Sequence, residues 1–429
     1  MPFNRSIGTL PKTFIVTAFV NFLVGAFFGG WMASDPSRIS LLGSLHGEIN
    51  PFGWLTMMMY GMTYAVLTLS TGFRPPRVAV GWIHWLMAEL GVILLVFSFL
   101  YQSPIAFRIG LGLQAMAPIV FLGNLLSAVI TGKKSGRQFP QEMMNESHPL
   151  VALKRSTILE SSDRVGQRGT DVALMLYVIA VWWIWIQSWM MPGVNSGLGS
   201  DAAKILIYYG WLGGTVWSVG LHLLPRFSVS KPINAKMASL GQLFWFSAVL
   251  IQVIGMMVNP SWGLVTSRML GIAAIYQGVL FMFPLLTKSI QESNTPLLPL
   301  WSKTAWMAAL LLEMVLGLLL IAGLDPLSLL AMHLLFLGFA TTLLYGVGYG
   351  LFPWIFGGIK VSPIYAWIQL VVSIIGILMM AVAFAGDVWS QFGNWPVLLW
   401  LAMGGILAAL GAFLFILQWP ILVTQHVKE

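Results

Sequence analysis

The 429-residue chain has no cysteine, and only 8% of its residues are charged. The first absence excludes disulfides, iron–sulfur clusters, thiolate metal sites and any cofactor attached through cysteine. Whatever binds must be held by histidine, methionine, carboxylate or backbone groups. The second absence excludes a soluble globular domain, in which about a quarter of the residues are charged. What is abundant instead is apolar: 58% hydrophobic residues, with 20 Trp, 26 Phe and 24 Met.

Runs of about 20 apolar residues, enough to cross a hydrocarbon core, recur twelve times. They lie at about 12–34, 48–70, 79–101, 107–131, 169–191, 204–225, 236–258, 264–287, 303–323, 327–353, 362–385 and 394–418. All are expected to be helices, because lipid leaves backbone polar groups no partner outside their own segment. The first run is too long for a signal-peptide core and has no clear cleavage site, so it counts as a span. With both termini on the cytoplasmic side, 18 of the 22 Lys and Arg residues fall inside and only Arg38, Arg108, Lys204 and Arg268 outside. That bias follows the positive-inside rule and places the chain in a cytoplasmic membrane. The net charge of +8 therefore reports topology and contact with an anionic leaflet; it is not a nucleic-acid signature.

The longest connection, 132–168, is polar and contains His148; the other links are short and rich in Gly, Pro and Asn. The chain is expected to form one integral membrane domain, 1–429. Within it, span 2 reads Gly53-Trp54-Leu55, then Tyr60-Gly61 and Tyr64; span 10 reads Gly338-Phe339-Ala340, then Tyr345-Gly346 and Tyr349, and Thr56 matches Thr341. Span 6 reads Gly210-Trp211-Leu212, then Trp217-Ser218, and reaches Pro225 at the offset where span 10 reaches Pro353. A likeness among spans 2, 6 and 10 implies three parallel four-helix units, 1–131, 169–287 and 303–418, related by an axis along the membrane normal. The competing reading is that small residues beside aromatics are a common helix-packing device.

Two of the six histidines sit at matched depth in this repeat. His46 precedes Gly53 by seven residues and His333 precedes Gly338 by five, which at 1.5 Å per residue sets them roughly 10 and 8 Å above equivalent glycines. Their helical faces differ by about 200°. In a ring of three units, the gap between units 1 and 3 is flanked by opposite sides of spans 2 and 10, so ligands to one shared group must lie on different faces. Two neutral imidazoles facing each other at one depth describe axial ligation of a haem iron. Either histidine taken alone fits a hydrogen-bonded packing role. His84 and His222 sit near the cytoplasmic ends of spans 3 and 6, where interfacial or hydrogen-bonded roles are expected; His148 and His426 lie in polar segments.

At these residues the chain resembles the haem–copper oxidase subunit I superfamily. "LHGEINPFGWLTMMMYGMTYAVL" (44–66) and "MHLLFLGFATTLLYGVGYGLFP" (332–353) are similar to the His…Gly-Trp…Gly…Tyr…Pro texture of cbb-type oxidases and nitric oxide reductases. The resemblance implies twelve helices in three quasi-equivalent arcs and makes His46 and His333 the ligands of one low-spin b-type haem. It also shows departures. Where the first histidine of the family's span-10 His-x-His would stand there is Ala331, span 6 has only His222 at the wrong end, and span 7 has no histidine. A divergent member lacking the binuclear centre is therefore implied, with copper not expected. Its role would be electron transfer, or a haem-linked redox or nitric oxide response, with a redox partner protein or second subunit. A catalytic oxygen or nitric oxide reductase and a twelve-span secondary transporter without haem are the rival readings.

Three carboxylates fall in or beside spans. Glu89 and Glu313 are expected to be protonated and hydrogen-bonded to neighbouring helices, since a buried carboxylate is otherwise costly. Glu48 can orient His46 or meet Arg38. Arg108 and Arg268, opening spans 4 and 8, can reach haem propionates or serve as snorkelling anchors.

Overall fold

The computed structural model describes residues 8–69, 76–132, 161–190, 201–228, 233–286, 298–356, 361–388 and 397–419. His148 and His426 lie outside the described residues. The described part is an all-α membrane protein of twelve helical stretches. They are α1 (Thr9–Ser34), α2 (39–69), α3 (Val78–Leu100), α4 (Pro104–Gly132), α5 (Ser161–Met190), α6 (201–228), α7 (Ala235–Val258), α8 (Pro260–Leu286), α9 (Leu300–Ile321), α10 (329–355), α11 (Pro363–Val388) and α12 (Val397–Leu417). Ten of them are long and apolar enough to cross a membrane. The two that fall short, α2 and α6, are shielded by other helices and so can carry Tyr, Trp, Gly and Asn in place of lipid-facing aliphatics.

Two boundaries differ most from the hydropathy reading. The second span begins at Ile39 rather than near 48, so His46 lies within the helix. Ser44, His46, Glu48 and Asn50 lower the apolar average there, although the backbone is already helical. The fifth helix begins at Ser161, inside what reads as the loop 132–168, with Asp163 in its first turn. There a negative charge complements the helix dipole.

The threefold repeat has a backbone signature. Each of α2, α6 and α10 contains an eight-residue π-helical segment: Ile49–Thr56, Leu206–Gly213 and Leu334–Thr341. Gly53, Gly210 and Gly338 each stand fifth in their segment. Such widened turns are rare and leave carbonyls without an ordinary helical partner. Side chains add to the widened pattern: Asn21 donates to Gly53 O at 3.1 Å, and Tyr209 O and Leu337 O, which accept the backbone N–H of Gly214 and Thr342, also accept from Trp245 at 3.0 Å and the Thr342 hydroxyl at 2.8 Å.

The three segments meet at the centre of the molecule. Trp54 of α2 donates its indole N–H to Thr341 of α10 at 3.2 Å, and Trp211 of α6 donates to Thr56 of α2 at 2.9 Å. The third pair in this cycle is Phe339 and Gly213, which have no groups to share. Around the outside, α4 packs on α5, α8 on α9 and α12 on α1, closing the three units into a ring.

Candidate functional site

The structure brings His46 and His333 together between units 1 and 3. Their ring centres are 6.0 Å apart and their planes differ by 16°. His46 Nδ1 lies 2.8 Å from Gly25 O on α1, and His333 Nδ1 lies 2.7 Å from Leu329 O one turn back on α10. A carbonyl only accepts, so each Nδ1 carries the proton and each Nε2 keeps its lone pair. A backbone carbonyl holding one ring nitrogen is the usual outer-shell device that orients a metal-binding imidazole. Both rings are half-buried, and Phe384 of α11 stands 4.6 Å from His333.

Glycines on α1 make room for this geometry. A Cβ on Gly29 would lie 3.1 Å from His46 Cε1, and one on Gly25 would lie 2.6 Å from Asn50 Oδ1. Asn50 in turn donates to His46 O at 2.8 Å, holding the turn that carries the histidine. Sequence reading passed over Gly25, Gly29, Asn50 and Phe384. The Gly25-x-x-x-Gly29 spacing, a known sign of close helix approach, was the available signal.

Arg108 and Arg268 are not brought to the pair. Arg108 donates to Ser188 O at 3.0 Å and lies over the Trp189 ring at 4.8 Å, stitching α4 to α5. Arg268 is exposed on α8. Arg38 pairs with Asp35 at 2.7 Å rather than with Glu48.

The other polar groups have separate places. Glu89 accepts from Asn21 at 2.9 Å, a bond between α3 and α1. Glu313 departs from its expected hydrogen bond: it is wholly buried and neither carboxyl oxygen has a hydrogen-bond partner. His84 is buried with Nδ1 3.1 Å from the Tyr64 hydroxyl, and His222 pairs with Asp163 at 3.0 Å. Tyr64 and its equivalent Tyr349 both bridge to the next two helices: Tyr64 contacts His84 and Asn124, and Tyr349 contacts Gln369 and Gln418.

Between units 2 and 3, large side chains fill the space. Trp245 lies where a Cβ on Gly213 would be 2.8 Å from it, and Phe246 does the same at Gly214 at 2.7 Å. Trp217 packs on Phe339 at 4.6 Å, on Phe281 at 5.0 Å and on Trp245 at 5.9 Å.

No protein-family model and no curated protein matches the chain. Among solved structures it is similar to a heme-copper terminal oxidase dimer determined by cryo-EM. The TM-score is 0.65 at 13% identity, with 96% of this chain and 83% of that one covered. At that identity the likeness is one of fold: the chain has the architecture of a haem–copper oxidase membrane subunit.

Proposed function

We propose that this protein binds one low-spin b-type haem through Nε2 of His46 and Nε2 of His333. It would serve in electron transfer, or in a haem-linked redox or nitric oxide response, together with a redox partner or second subunit. It resides in the cytoplasmic membrane with both termini cytoplasmic, as the Lys and Arg distribution favours. The observation that carries the reading is the imidazole pair. Two nitrogen–metal bonds of about 2.0–2.1 Å, plus about an ångström from each nitrogen to its ring centre, span about 6 Å, and the ring centres are 6.0 Å apart. The donor set is suitable, because two neutral nitrogens with fixed tautomers satisfy iron without a thiolate. Gly29, having no Cβ, leaves room for the His46 ring against α1. A haem held this way supplies reversible one-electron storage. The protein's own residues orient the imidazoles through Gly25 O and Leu329 O and surround them with apolar side chains.

The test is a visible spectrum with metal analysis. Protein made where haem is available should show a six-coordinate, redox-active haem and one iron per chain. His46→Ala and His333→Ala should each abolish that spectrum while leaving the protein folded. A colourless wild-type preparation would overturn the reading. Glu313 favours a second reading, since a buried carboxyl without a hydrogen bond suits a coupling group in a carrier. Substrate uptake lost in Glu313→Gln and indifferent to both histidines would establish it.

A further inference from the structure

The outer joint between α12 and α1 holds an open groove of about 600 Å³. Its walls include Ala26, Phe27 and Gly30 on α1 and Gly405, Ala409 and Phe413 on α12. Its lining is aliphatic, aromatic and glycine, the one polar side chain being Trp31, over whose ring the Arg38 guanidinium lies at 4.8 Å. Side chains at its rim, such as Phe27 (64% exposed) and Ile406 (63%), face the bilayer. A Cβ on Gly30 or Gly405 would meet nothing within 4 Å, so both walls stand apart.

The groove adjoins the histidine pair. Gly30 lines it, and the preceding Gly29 is the residue against which the His46 ring rests. Two successive residues without side chains, Gly29 facing the imidazole and Gly30 lining the groove, thin α1 at this level. On the other wall, α11 and α12 form one body. A Cβ on Gly376 would lie 2.4 Å from the Ala408 nitrogen, and one on Gly404 would lie 2.8 Å from Gly376 O. Because α11 also carries Phe384 against His333, movement of this helix pair away from α1 would widen the groove and lift Phe384 off the imidazole in one step.

We infer that the α12–α1 groove is the way by which haem, dissolved in the bilayer, reaches the two histidines. This rests on the haem reading above and names the route to that same site. Haem is flat and largely apolar, which suits a cleft whose walls are mostly aliphatic, aromatic and glycine, with the Trp31 indole the one polar side chain lining it. The helix pair α11–α12 acts as the moving wall.

The absence of native cysteine makes the test clean. Apoprotein carrying Ala26→Cys and Ala409→Cys, reconstituted in nanodiscs, is bridged with a short cleavable bismaleimide and mixed with haem, and uptake is followed by absorbance. Bridging should slow uptake by roughly tenfold or more, with recovery on cleavage, while protein loaded before bridging keeps its spectrum. Gly30→Trp with Gly405→Trp, which fills the groove without a linker, should slow uptake likewise. Ile83→Cys with Leu90→Cys on the lipid face of α3, bridged identically, should not. Unchanged uptake in both the bridged and the filled proteins would overturn the route but leave the haem reading standing. If no form binds haem, the reading itself fails and the route with it.

Discussion

The α12–α1 and α8–α9 joints occupy equivalent places in the ring and are built in opposite ways. At α8–α9 the backbones touch: a Cβ on Gly271 would lie 2.4 Å from Gly317 O, and one on Gly317 would lie 2.7 Å from Gly271 O. Inward of that contact, Trp217, Trp245, Phe281 and Phe339 fill the space. At α12–α1 the walls stand apart, and inward of them lie two oriented imidazoles. The frame repeats, but its capacity to hold a flat group is set locally by side-chain volume and by a few glycines. One joint is a packed interior at native density; the other keeps room.

The sharpest way to break this comparison is to add bulk to each joint. Gly271→Leu should cost about 3 kcal/mol or more, because no side chain there can yield. Gly405→Leu should change stability by no more than about 0.5 kcal/mol. Denaturant titration of both variants in detergent measures the difference, and equal effects would show that the joints are alike. Next in size, Trp245→Ala should cost about 3–5 kcal/mol, since a fully buried indole leaves a cavity. It should not create a haem-binding site, which iron analysis of the variant would check. Thr56→Val, which removes the acceptor of the Trp211 indole between units 1 and 2, should cost roughly 1–3 kcal/mol with one buried donor left unmatched. Its Trp fluorescence should report the freed indole.

The smallest effect lies at the end of α1. Asp35 is held below the usual carboxylate range first by the Ser37 hydroxyl and then by Arg38. A depressed folded-state value contributes stability above the unfolded pKa and loses it as pH falls through the folded one. The group is fully exposed, so Asp35→Asn should barely move the melting temperature at neutral pH. It should also remove a slight fraying of this turn below the carboxylate range, visible in amide exchange at Arg38.

The repeat was readable because Gly53, Gly210 and Gly338 with their following aromatics recur at fixed offsets. The π-helical turns were not. They arise from one added residue in a helix buried on nearly all sides, where apolar periodicity has no contrast with which to reveal a change of pitch. His46 and His333 could be paired from depth alone, since helical rise converts residue counts to height. Arg108 and Arg268 could not be placed the same way, because height says nothing about which joint of the ring a residue faces. Gly29 was passed over for a related reason: its contribution is the absence of a side chain, which becomes visible only when His46 lies against it.

The indole-to-hydroxyl bonds at the centre run in one rotational sense, from α2 to α10 and from α6 to α2, and the next would run from Phe339 to Gly213. A threonine at 213 would press on Trp245. The unmade bond and the plugged interior are thus one substitution pattern seen from two sides. Units 1 and 2, and units 1 and 3, are latched at the centre by indole-to-hydroxyl bonds, whereas units 2 and 3 meet there by packing and are tied by the Tyr209 hydroxyl, which donates to Pro326 O at 2.9 Å. Pulled apart mechanically, the molecule should therefore lose the central contact of units 2 and 3 by gradual slippage, and the other two central contacts by discrete rupture.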